Sequence, residues 1–406
     1  MATTSSAAPL PEHIPEALAY DFYLFGDERL AAAPYARAGE VLREAPPVFW
    51  SVRGNCWMIT RYDALIDAFK DSETFSNVLF PQTPADYVYS PLPLQADPPL
   101  HKKYADPLKA VFSARRVAAM EGTMRELAVE LIGKVAGQGA CDFVPAIAEP
   151  YPILIFLGIL GVEKERFGEF RQVAVEYLNE TDREVRFGKM QQADQLMSEY
   201  IEERRKRPAD DLISHLWSLD IDGEPISLVD MRRYGMMLFT AGLDSVTNGL
   251  AHTFHYLAEH PEFQASLRAH PEDISAGVEE LLRRHGVTTP PRRVARDVEF
   301  YGAPMKQGDF VQLYVIAGNL TESVFPDPAD IHLQRDTTHL TFGYGIHRCI
   351  GAHLARVEMQ TFFQEWLGRV PEFRLGAGGV AYDTGHVLRV ATLPLAWDPA
   401  AHPVAS

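Results

Sequence analysis

The chain has 406 residues, 47% of them hydrophobic and 23% charged, a balance that supplies a large buried core and excludes a disordered chain. Lys and Arg number 38 against 55 Asp and Glu, and the resulting net charge of −17 opposes attraction to nucleic acid or to an anionic membrane. Neither is expected as a partner.

Met1–Glu16 holds no Lys or Arg and no continuous apolar stretch, so residues 1–19 read as a flexible tail rather than a secretory signal. Between Pro46 and Arg61, two β-prone runs flank Gly54-Asn55, which predicts a hairpin. Helical periodicity follows over Val117–Gly137, and Tyr151–Val162 is apolar throughout. That run is about a dozen residues where a membrane span needs about twenty, so it reads as a buried helix. Further helices are expected over Lys164–Thr181, Arg183–Arg207, Ser227–Glu259, Pro271–His285 and Gly351–Val370, with a short β region at Arg293–Ile316. The stretch from Ser227 is long for a globular helix, with Ser227 as its N-cap and His260-Pro261 at its end. Apolar residues wrap its middle, from Met236 to Leu250, as expected of a helix that crosses the interior and lines a cavity.

No repeat or Gly/Ser linker divides the chain, so residues 20–406 read as one domain, mainly α with small β-sheets. Cys56, Cys141 and Cys349 are far apart and form no C-x-x-C, which argues against a disulfide framework or a zinc site and for a reducing, cytoplasmic compartment.

The most informative stretch is Thr341–Arg356, TFGYGIHRCIGAHLAR. Gly343 and Gly345 permit tight turns and leave room for a flat ligand, while Cys349 stands just ahead of a helix opening near Gly351. A helix N-terminus favours a thiolate over a thiol, and a thiolate binds a soft metal. Phe342, Gly343, Gly345, His347, Cys349 and Gly351 together resemble the haem-binding loop of the cytochrome P-450 superfamily. The resemblance implies haem b held between the long central helix and the helix after Cys349, with Cys349 as the axial ligand of the iron.

Further motifs follow the same resemblance. Glu280 and Arg283, three apart on one helix face, with Arg335 downstream, resemble the buried Glu-Arg-Arg cluster of the superfamily. Ala241-Gly242-Leu243-Asp244-Ser245 resembles its oxygen-activation motif, with Ser245 where Thr is usual. Asp244 and Ser245 are therefore the expected catalytic pair that delivers protons. The haem carboxylates would be held by His101, Arg292 and His347, with Phe342, Gly343 and Gly351 shaping the loop beneath the ring. Ala105 stands where the family pattern places an Arg, four residues after His101.

Ala148–Phe156, Gly242–Asn248, Glu279–Arg284 and Leu393–Pro399 resemble the bacterial camphor-hydroxylase-like branch most. This implies a monooxygenase that converts R–H, O₂, two electrons and two protons to R–OH and water, acting on a compact hydrophobic molecule such as a terpenoid. Substrate contacts implied by the resemblance are Tyr89, Phe80, Leu94, Met237, Thr240, Thr288 and Val387. No dinucleotide fingerprint follows a strand, so a separate [2Fe-2S] ferredoxin and an NAD(P)H-dependent reductase are expected. Lys102, Lys103, Lys109, Arg115, Arg116, Arg348 and Arg356 are the candidate docking cations. A peroxide-using haem-thiolate enzyme and a non-catalytic haem-binding sensor are the alternatives.

Overall fold

Residues 9–82, 87–180, 182–335 and 338–401 are described by a computed structural model. The expected hairpin is Val48–Ser51 paired with Cys56–Ile59, in register Trp50 to Trp57, and Asn55 takes a left-handed φ of 48° in its turn. Strand Cys56–Ile59 also pairs, in parallel, with Phe310–Leu313, which pairs antiparallel with Pro291–Val294. Ala19–Tyr20 and Phe75–Ser76 complete this six-stranded sheet at its two edges. The expected β region ends earlier than its sequence suggests, because Val315–Gly318 turns into a short helix. Part of the expected tail is also tied down. Ile14 is buried and the His13 ring lies 3.0 Å from Asp309, since the sheet leaves an apolar edge that residues 9–19 cover.

Helices occupy most of the remaining chain. Those expected from periodicity run over Ala114–Val135, Pro150–Leu160, Phe167–Asn179, Arg183–Lys206, Leu228–Glu259, Ile274–Arg284 and Ala352–Arg369. The expected end of one of them, Thr181, lies outside the described residues. Pro150–Leu160 is buried on nearly every side, which is why its composition shows no polar face. In Leu228–Glu259 the Ser227 hydroxyl accepts the Asp230 N–H at 3.0 Å, satisfying one of the orphan donors of the first turn. Further along, Phe254 stacks on Phe143 at 4.3 Å and meets Phe362 and Trp366 of the helix Ala352–Arg369 edge-on. These rings bury a large apolar area and fix the long helix against the helix that follows Cys349. Helices Pro34–Glu44, Tyr62–Lys70 and Leu100–Val111 were not anticipated from periodicity, and the last two close the region around the Cys loop.

A haem-thiolate site

The Cys loop is shaped by its glycines. Gly343 and Gly345 take φ values of 68° and 70°, a region that L side chains rarely enter. A Cβ on Gly345 would stand 2.6 Å from the Phe69 carbonyl oxygen, so the loop can press against the helix Tyr62–Lys70 only with glycine there. The Cys349 N–H donates to the Phe342 carbonyl at 2.8 Å and closes the loop. Cys349 is open to solvent yet surrounded by protein, the condition of a side chain lining a deep recess. Burial pushes its thiol above the ordinary value; the Gly351 N–H, Arg356 and Arg348 oppose this without reversing it. The backbone donor expected to favour a thiolate is present in the Gly351 N–H, and desolvation acts against it.

Beside the loop, three cationic or potentially cationic side chains converge. The His101 and His347 rings lie 4.2 Å apart between centroids. Burial, reinforced by repulsion from His101 and Arg292, pushes His347 down to about 3, and its Nε2 is buried without a hydrogen-bond partner among the described residues. Arg292, also buried, is pushed down to about 10 by desolvation and lies over the Phe69 ring at 5.4 Å. The neighbouring acid, Asp97, already accepts from the Ser76 hydroxyl and from the Asn77 N–H. Buried donors that repel one another and lack an acid of their own fit the two carboxylates of a haem. Ala105 is buried, and the nearby Lys103 pairs with Asp222.

The long helix presents Asp244 and, beside it, half-buried Ser245. Burial raises the Asp244 carboxyl, against the lowering effects of Arg389, Arg186 and the Asn248 amide. The Asn248 Nδ2 donates to Asp244 Oδ1 at 2.6 Å and to its carbonyl at 2.8 Å. Gly242 is required by packing: a Cβ there would meet the Phe156 ring at 2.7 Å. Behind the loop, Arg283 grips Glu280 through Nε at 2.8 Å and Nη2 at 3.1 Å, while Arg335 Nε and the His332 N–H each donate to Oε2 at 3.1 Å. Burial would raise Glu280, but these donors outweigh it and hold the carboxyl below its ordinary range.

A second cluster was not anticipated. Glu279 accepts from Arg356 Nε and Nη2, both at 2.6 Å, and lies 3.0 Å from His339 Nε2. Despite burial, these partners hold Glu279 at about 2. Arg356 also covers the Phe342 ring at 4.4 Å, so it braces the Cys loop rather than standing free for docking.

The comparisons decide the family. The sequence model for cytochrome P450 matches residues 159–370. The probable cytochrome P450 127A1 of Sinorhizobium fredii is 33% identical over 96% of this chain and 97% of its own. The mycinamicin IV hydroxylase/epoxidase of Micromonospora griseorubida is 32% identical over 84% and 89%. The chain belongs to the cytochrome P450 family. The crystal structure of cytochrome P450 CYP101C1 superposes with a TM-score of 0.89 at 32% identity, covering 96% of this chain and all of the other. That of CYP101J2 gives 0.87 at 30% identity, over 96% of this chain and all of its own. This P450 is a haem b monooxygenase, which uses O₂ and a redox partner.

Met237 is buried and Thr240 half-buried on the long helix, where the Thr240 hydroxyl donates back to the Met236 carbonyl at 2.8 Å. Thr288 and Val387 face each other across a β-bridge. Phe80 and Leu94 are exposed. The Tyr89 hydroxyl donates to Asp194 Oδ2 at 3.4 Å, and Arg232 donates to the same oxygen at 2.5 Å. Of the docking cations, Lys103 and Lys109 pair with Asp222 and Asp106, whereas Lys102, Arg115, Arg116 and Arg348 are exposed. No helix among the described residues is long and apolar enough to cross a membrane.

Proposed function

We propose that this P450 hydroxylates a compact hydrophobic molecule of terpenoid type with electrons from a [2Fe-2S] ferredoxin, itself reduced by an NAD(P)H-dependent reductase. The observation that carries the site is the convergence of His101, Arg292 and His347 beside the loop of Cys349. Cys349 would hold the iron, and His101, Arg292 and His347 would hold the haem carboxylates, with Phe342, Gly343 and Gly351 shaping the floor. Bound there, the haem would supply the activation of dioxygen and the insertion of one of its oxygen atoms into a C–H bond, the other leaving as water.

The chain's own part is to orient, to exclude water and to move protons. Asp244 takes up a proton at its carboxyl and Ser245 passes it on through a hydroxyl that both donates and accepts. Glu280, Arg283 and Arg335 keep the segment behind the loop rigid. Met237, Thr240, Thr288 and Val387 wall the substrate, with Tyr89, Phe80 and Leu94 at the mouth. The helices between Glu163 and Arg207 cover the entrance.

A groove of about 460 Å³ lined by Phe112, Arg115, Arg116 and Leu354, on the side of the helix that follows Cys349, supports docking of an acidic ferredoxin there. The three free cysteines and the resemblance to bacterial enzymes support a cytoplasmic setting, and residues 20–406 act as one unit.

The test is a binding panel of camphor, cineole, ionones and small aromatics, followed by turnover with surrogate ferredoxin, reductase and NAD(P)H. A change of iron spin state with one of these and formation of an alcohol are expected. A response to a fatty acid alone overturns the compact substrate, and binding without product overturns catalysis in favour of a sensor.

A further inference from the structure

Asp244, Asn248 and His252 recur at four-residue spacing and so share one face of the long helix. The strand Arg389–Thr392 and the residue before it run along that face. His252 Nε2 lies 3.1 Å from the Leu388 carbonyl, and the Val390 N–H donates to Asn248 Oδ1 at 3.0 Å. Between these two attachments, Arg389 Nε stands 3.8 Å from Asp244 Oδ1. Asn248 turns its amide nitrogen to the same Asp244 oxygen, so both groups that hold this carboxylate are fixed to one strand.

Two other charges among the described residues bear on the pair. Arg186, from the helix Arg183–Lys206, adds to the positive field at Asp244, although its guanidinium lies 4.8 Å from the centre of the Tyr177 ring. Asp383 is the backbone partner of Arg389 across the hairpin and is the acid placed to compete for it.

We propose that Arg389 is a positioning residue for the reaction: its ion pair holds the Asp244 carboxylate in one orientation, charged, and ready to accept the next proton. This rests on reading Asp244 as the proton-handling acid. The pair is largely screened from water, with side chains 15% and 13% exposed, so the attraction is stronger than between surface charges. Without it, desolvation acts on Asp244 with less opposition, and the neutral, rotatable acid gains population.

The test is difference infrared spectroscopy of the haem-loaded enzyme without substrate, titrated from acid to alkaline pH. The Asp244 carboxyl band is identified by its loss in Asp244→Asn. Arg389→Gln is expected to raise the proton affinity of Asp244 about tenfold or more, and Arg389→Lys to restore most of the change. An unmoved midpoint in Arg389→Gln with an intact haem-thiolate spectrum overturns the proposal, as does a shift that lysine fails to reverse. If Arg389→Gln does not fold, Asp383→Asn replaces it; freeing Arg389 from its competitor lowers the Asp244 proton affinity, and no change or a rise overturns the proposal. The underlying role of Asp244 is tested apart from this, because Asp244→Asn that releases no more peroxide per NAD(P)H than the unaltered enzyme removes that role and leaves the infrared result standing.

Discussion

The imidazoles of His101 and His347 meet at 4.2 Å and 63°, a contact that places two bases from distant segments where a single acid would satisfy both. With Arg292 beside them, the arrangement is costly until carboxylates arrive. Arg292→Gln removes the one partner that is charged throughout the working pH range. Haem transfer from the enzyme to an excess of apo-globin is expected to quicken about tenfold or more, since a charged hydrogen-bond partner contributes roughly 1.5 to 3 kcal/mol. Unchanged transfer would remove Arg292 from the carboxylate set.

Ser245 lacks the methyl group that restricts the rotamers of threonine, so its hydroxyl is held less firmly. In Ser245→Ala the relay hydroxyl is gone, and peroxide released per NAD(P)H consumed is expected to rise. Coupling equal to that of the unaltered enzyme would show that Asp244 delivers protons without it.

Glu280 accepts four donors in a buried setting, and removing its charge leaves Arg283 and Arg335 without their counter-ion. Glu280→Gln is expected to lower the unfolding free energy by about 3 kcal/mol or more, with early loss of haem on heating. Paired melting curves of the two proteins, followed by circular dichroism and haem absorbance, give the measurement.

His252 is buried and lowered from its ordinary value of 6.5 to about 3, chiefly by desolvation, although its bond to the Leu388 carbonyl opposes the shift. The folded protein therefore resists a proton that the unfolded chain accepts. Above pH 6.5 both states are neutral at this residue and nothing is lost; as pH falls from 6.5 toward about 3, stability declines by up to about 1.36 kcal/mol per pH unit. His252→Gln is expected to flatten the acid side of a urea-midpoint series by about one proton. A slope equal to that of the unaltered protein would place the acid sensitivity elsewhere, with buried His285, also held well below its ordinary value, as the next residue to change.

What the sequence disclosed was mostly local. The Ser227 cap, the Gly343 and Gly345 turns and the Glu280–Arg283 spacing each depend on neighbours within a few residues, and each stands in the structure as read. The Cys loop was legible because its geometry is written into consecutive residues. The pairing of Arg356 with Glu279 was not legible because the two lie 77 residues apart, and no pattern near Arg356 announces it. Tyr89 and Asp194 are separated by 105 residues, and Asp244 and Arg389 by a comparable stretch, so their pairing had no local signature either. The helices Tyr62–Lys70 and Leu100–Val111 were missed although each has a buried face, Ala64, Leu65, Ala68 and Phe69 in the first and Tyr104, Ala105, Leu108 and Val111 in the second, because small alanines and the internal Pro107 dilute the stripe.

The parallel pairing of Cys56–Ile59 with Phe310–Leu313 has a bearing on how the chain is made. Trp57, one residue into the first of those strands, also bonds through its indole to Asp309, 252 residues later. During synthesis the early hairpin leaves the ribosome with one edge unsatisfied, and it must wait through most of translation for the strand that covers it. Ribosome-bound chains halted before Phe310 should thus lean on chaperones, whereas those released after Leu313 can seal that edge themselves.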